Sequence, residues 1–185
     1  MSFINRCTEK IAKQACLSVV DRELMNYGFK VIYINVSKTL LLFICVMMLN
    51  ILKEAAILFC AFVCVRLSGF GVHSESTIKC TFIGLTSFIG GTYLAISIEP
   101  LSIVVSVLLC CVCITIFVIY APIETDKHPI SEQRKSLFKK AIIITTIALF
   151  IFSLCMGETV YRNLIIIGVM LEAYIMLPPI KKIIK

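Results

Sequence analysis

The chain has 185 residues, of which 59% are hydrophobic and 16% charged, with a net charge of +7. Soluble domains are usually about 45–50% apolar, so the composition excludes an ordinary soluble domain and points to an integral membrane protein. Basic excess in such a chain reads as orientation and contact with anionic lipid rather than as nucleic-acid binding, so lipid is expected as a partner and nucleic acid is not.

Residues 1–30 come first. Ile4, Cys7, Ile11, Ala15 and Val19 recur at spacings of three and four, with Arg6, Lys10, Lys13 and Arg22 off that row. This pattern predicts an amphipathic helix at the membrane interface; a short helix packed on the rest of the protein is the alternative. No cleavable signal peptide is expected, because no continuous apolar stretch precedes residue 30.

Six apolar segments follow, at 31–49, 51–66, 80–98, 101–121, 141–157 and 160–178. A straight crossing takes about 20 apolar residues. The fourth segment meets that; the second is interrupted by Lys53 and Glu54, and the fifth is short. The expected fold is an all-α polytopic membrane protein with about six transmembrane or partly spanning helices, residues 31–185 forming one helical domain.

Charge tests this layout. With a cytoplasmic N-terminus and six crossings, the cytoplasmic parts are 1–38, 66–80, 122–140 and 179–185. They carry six, two, five and three Lys or Arg, sixteen in all, against Lys53 and Arg162 on the other side. That is a strong positive-inside bias. Both termini and the segment 66–80 are then expected on the cytoplasmic side of a cell membrane, where thiols stay reduced.

Between the second and third segments lies RLSGFGVHSESTIKC, Arg66 to Cys80. On one continuous helix His73 and Cys80 would be about 10 Å apart along the axis, too far for a thiol–imidazole hydrogen bond. Gly69 and Gly71 permit a turn before the histidine, and Ser74, Ser76 and Thr77 favour a cap. The third segment begins near Cys80, and a helix N-terminus favours the thiolate, as does neighbouring Lys79. Thiol and imidazole together make the minimal kit for a cysteine nucleophile with a general base. From spacing alone two readings stand: a catalytic pair, or an interfacial histidine and a packed cysteine. Arg66 reads as a topological anchor closing a membrane segment.

Further along, the loop 122–140 carries Lys127, Arg134, Lys135, Lys139 and Lys140, fitting positive-inside orientation. His128 beside Pro129 reads as a solvated loop residue. Glu172 sits within the last apolar segment, where a carboxylate is costly; it reads as paired with water or a lysine, or as a functional group. Gly90, Gly91 and Gly168 permit close helix approach. Seven of the ten cysteines lie in apolar runs and behave as small hydrophobes. The run CCVC at 110–113 has no other ligand type beside it, so no metal and no cofactor are expected.

Arg66, Gly71, His73 and Cys80 together form R-x4-G-x-H-x6-C. This pattern resembles the central motif of the AgrB family, membrane endopeptidases of the accessory gene regulator system of Gram-positive bacteria. The block YAPIETDKHPI, Tyr120 to Ile130, is similar to that family's Tyr-Ala-Pro signature, and GVMLEAYIMLPPI, Gly168 to Ile180, to its final segment. The resemblance implies a cysteine protease acting on a short AgrD-like propeptide, with Cys80 as nucleophile and His73 as general base. It implies an acyl-enzyme thioester that an internal Cys of the substrate resolves into a cyclic thiolactone (a Ser would give a lactone). Arg66 and Gly71 would support the active region, Lys127, Arg134, Lys135 and Glu172 would contact substrate, and homodimers are implied as well. Glu75, Ser74 and Ser87 are candidates for orienting His73. Two rivals remain beside this reading, a small peptide exporter and a noncatalytic membrane scaffold, and neither gives Cys80 a task.

Overall fold

A computed structural model describes residues 18–69, 77–121, 132–157 and 159–177, with the side chains at 19, 20, 24, 27, 69, 77–80 and 132–134 outside the description. Among the described residues there are six helices and no strands. They are α1 (Val19–Met48), α2 (Leu52–Gly69), α3 (Thr77–Ser97), α4 (Ile103–Tyr120), α5 (Glu132–Cys155) and α6 (Val160–Met176). The expected all-α membrane architecture is what the chain adopts. Two compact units divide it, residues 1–45 and 46–185.

In the first unit α1 starts where Ser18 can cap it: the Ser18 hydroxyl accepts from the Asp21 backbone N–H at 3.2 Å and donates to the Asp21 carboxylate at 2.6 Å. The helix is continuous across residue 30, and Asp21–Met48 is apolar enough to cross a membrane. The stretch before residue 18 lies outside the described residues. Ile32, Tyr33, Val36 and Leu40 are exposed on α1. An apolar surface of this kind suits hydrocarbon and not water.

The second unit begins with a tight turn. Asn50 takes a left-handed conformation, φ 55°, and the Ile51 N–H donates to the Val46 carbonyl at 3.1 Å. Asn tolerates this conformation because its short polar side chain pays little steric cost there. Helices α4 and α5 supply two further spans long and apolar enough to cross, Ile103–Tyr120 and Lys135–Cys155. The fifth apolar segment is therefore not short as a helix. Residues 132–140, expected in a loop, form the first turns of α5, because Glu, Gln, Arg, Lys and Leu are all good helix formers.

Helix α6 is the hub. It packs against α2, α3, α4 and α5, and most of its length is buried, from Arg162 through Val169 and again at Glu172, Ala173 and Met176. A helix enclosed this way can carry polar groups that a lipid-facing helix cannot. Asn163, fully buried, uses them to hold the α3–α4 turn. Its Oδ1 accepts from the Leu101 N–H at 2.9 Å, and its Nδ2 donates towards the carbonyls of Ala95, Ile98 and Glu99 at 3.2–3.3 Å. Beside it, Arg162 donates to the Leu101 carbonyl at 2.8 Å.

Helices α2 and α6 run in the same direction. Lys53 meets Tyr161, Leu58 meets Gly168, and Arg66 meets Glu172, so contacts advance together along both helices. Gly168 sets their separation: a Cβ built there would lie 2.6 Å from the Leu58 carbonyl oxygen and 3.0 Å from the Ala61 Cβ. Of the other glycines expected to permit close approach, Gly91 has ordinary spacing to Ile167 and Leu171 at 3.4 Å, and Gly90 faces open space. Gly168→Ala should therefore push α2 and α6 apart and destabilise the bundle by about 1–3 kcal/mol, the usual cost of overpacking. Thermal unfolding in detergent should show a clear drop for Gly168→Ala and little change for Gly90→Ala.

Candidate active site

The alternation of helix directions gives the second unit two distinct ends. At one end lie the starts of α2 and α6 and the α3–α4 turn, with Lys53 donating to the Tyr161 hydroxyl at 2.7 Å and Arg162 on the Leu101 carbonyl. Both cations expected opposite the basic loops are thus together here. At the other end lie the last turns of α2, α4 and α6 and the first turns of α3 and α5. The R-x4-G-x-H-x6-C motif begins and finishes at this second end.

Arg66, three residues before the end of α2, donates through Nη1 to both oxygens of Glu172, at 3.1 Å each. The Glu172 side chain is 0% exposed and that of Arg66 is 23% exposed. A carboxylate so enclosed requires a cation and hydrogen bonds, and Arg66 supplies both. The Arg66 guanidinium also sits 5.9 Å from the centre of the Phe62 ring, one turn earlier on α2. The expectation for Glu172 was water or a lysine; the partner is instead an arginine 106 positions away in sequence. Nothing in local sequence announces a contact between such distant segments.

An apolar cluster underlies this pair. Val65 joins Cys113 and Phe117 of α4, Ile142 of α5, and Val169, Ala173 and Met176 of α6, with Ile83 of α3 packed against it. Ile83 is three residues beyond Cys80. The backbone of α3 starts at Thr77, which puts Cys80 in its first turn. The side chain of Cys80 lies outside the described residues, as do Gly71, His73, Ser74 and Glu75. Ser87 is half-buried two turns farther along α3 and about 10 Å from Cys80 along the axis, beyond direct reach of it.

Of the basic groups, Lys127 and His128 lie outside the described residues, as does the side chain of Arg134. Lys135 and Lys139 are half-buried and Lys140 exposed on the first turns of α5, at the same end of the unit as Arg66. The three thiols of CCVC do not converge: Cys113 is buried, Cys110 half-buried and Cys111 exposed. Sequence reasoning did not single out Arg162 and Asn163 as a lock on the α3–α4 turn. The signal was present, since adjacent Arg and Asn at the start of an apolar segment are groups that must find partners.

A sequence profile of the family described as "AgrB: Accessory gene regulator B" matches residues 4–176. A putative AgrB-like protein of Clostridium acetobutylicum is 26% identical over 170 residues, 91% of this chain and 81% of the relative. The accessory gene regulator protein B of Staphylococcus intermedius is 24% identical over 176 residues, 95% of this chain and 92% of the relative. A putative AgrB-like protein of Listeria innocua is 26% identical over 163 residues, 87% and 79% respectively. No solved structure matches.

Removing Arg66 alone would leave Glu172 buried without this partner, a change that typically costs about 3–5 kcal/mol. Arg66→Ala should lower the unfolding temperature in detergent markedly. The double variant Arg66→Ala/Glu172→Leu should recover much of that loss, because the charge no longer needs a partner.

Proposed function

The chain belongs to the accessory gene regulator B family, and from that premise we propose that it is a membrane cysteine endopeptidase that processes a short AgrD-like propeptide into a cyclic signalling peptide. The observation that carries this reading is the R-x4-G-x-H-x6-C motif in a chain matched by the family profile over nearly its whole length. The geometry supports it in two ways. Arg66 and the first turn of α3, which bracket the motif, lie at one end of the bundle on the shared cluster of Val65 and Ile83. Cys80 falls in a first helical turn, where the positive end of the dipole favours its thiolate.

His73 takes the proton from the Cys80 thiol, and the thiolate attacks the carbonyl carbon of the scissile bond. His73 returns the proton to the departing amine, which leaves with the C-terminal part of the propeptide. The N-terminal part stays on Cys80 as a thioester. A thiolate within the substrate attacks that carbonyl and displaces the Cys80 thiolate, so one thioester replaces another of similar energy and the ring closes. Positioning and exclusion of water make ring closure prevail over hydrolysis.

Lys127, Arg134 and Lys135 attract the acidic C-terminal part of the propeptide. Gly71 serves backbone geometry before His73. Positive-inside bias supports a cytoplasmic side for the segment 66–80 and for both termini in the bacterial membrane. A peptide exporter is the alternative, and the same experiment separates them.

Co-expression with a propeptide containing an internal cysteine should show cleavage by the wild type. Cys80→Ala should abolish it, and His73→Ala should reduce it at least about a hundredfold. Cleavage retained by Cys80→Ala contradicts the mechanism; cleavage kept but secretion lost would make the protein an exporter.

A further inference from the structure

We propose that Glu172 is a positioning residue for the reaction: through Arg66 it fixes the end of α2, and with it the start of the chain that carries His73, against α6. This inference rests on the proteolytic reading above.

Glu172 is completely buried, so substrate does not reach it without the bundle opening. Its two oxygens both accept from the Nη1 of Arg66 at equal distances of 3.1 Å, which holds that nitrogen on the midline of the carboxylate. Apolar contacts do not do this. The Gly168 approach sets how far apart α2 and α6 lie, and the hydrophobic attraction around it is non-directional. The pair adds a directional bond at the last described turns of both helices.

The position of that bond matters. Arg66 is seven residues before His73, and helix α2 ends at Gly69 between them. On the other side of the motif, Ile83 packs on the cluster that contains Val65, Ala173 and Met176. The two helices entering and leaving the motif are therefore both referenced to the final turns of α6. Glu172 supplies the polar part of that reference. A side chain on the last described helix thus holds the helix end from which the chain runs on to the proposed base and nucleophile.

A direct role for Arg66 in binding the propeptide's carboxylates predicts something different. Releasing Arg66 from Glu172 would then leave turnover intact and alter KM. Positioning instead predicts a loss in kcat with KM nearly unchanged, because a displaced near-attack geometry slows the chemical step.

The test uses the full-length protein in detergent or proteoliposomes with a synthetic propeptide. Glu172→Gln, nearly isosteric, should keep the unfolding temperature within a few degrees, lower kcat roughly ten- to a hundredfold, and leave KM within about twofold. Glu172→Asp, which keeps the charge but shortens the reach, should fall between Gln and wild type. The exchanged pair Arg66→Glu/Glu172→Arg should exceed either single exchange in kcat, which direct substrate binding by Arg66 would not allow. Wild-type kcat for Glu172→Gln, or a change confined to KM, overturns the assignment. Failure of all these variants to fold also overturns it, leaving the pair as a folding requirement only. Cys80→Ala run in parallel keeps the two readings apart: if it cleaves, the nucleophile is misassigned whatever Glu172 does.

Discussion

A carboxylate with no exposed surface, set in an apolar bundle, needs a cation at hydrogen-bond distance, and this constraint shapes the second unit. Glu172 meets it with Arg66, which requires α2 and α6 to lie side by side at this level, and the two helices do so in parallel. Gly168 allows the close approach that register requires, because any Cβ there would strike the Leu58 carbonyl. At the opposite end Asn163 and Arg162 tie α6 to the α3–α4 turn. The remaining helices pack around an α6 already committed at both ends.

This arrangement separates two requirements that compete in a small membrane protein. The lipid-facing surfaces of α1, α4 and α5 are apolar, as the bilayer demands. Polar groups are placed on α6, where other helices enclose them. Enclosure makes each of them expensive unless satisfied, and each satisfied pair then specifies one arrangement over others that would bury similar apolar area. The helices on both sides of the segment proposed above to be catalytic are referenced to one central helix.

Much of the architecture was legible in the sequence. The helical membrane class followed from composition, and α2, α3, α4 and α6 match apolar segments to within a few residues at both ends, because continuous apolar runs leave few alternatives, whereas α1 starts twelve residues before its segment. The start of α5 was not legible: residues 132–140 are charged, and charge in a membrane protein reads first as a loop, although their intrinsic preference is helical. Nor was the Arg66–Glu172 partnership, since pairing across 106 positions depends on which helices become neighbours. Positive-inside counting set Lys53 and Arg162 apart from the other cations, and the structure puts both at one end of the bundle. The candidate nucleophile was read from residue types, and the reaction class proposed for it rests on the resemblance of the motif to the family's.

The central claim is that Cys80 forms a thioester with the propeptide. A propeptide whose internal cysteine is replaced by alanine cannot close its ring, so the acyl-enzyme should accumulate. Intact-mass and peptide-mapping measurements on the purified protein should then find the N-terminal part of the propeptide attached to Cys80 and released by hydroxylamine. Release of the C-terminal fragment with no adduct, or with an adduct on another cysteine, would contradict the account.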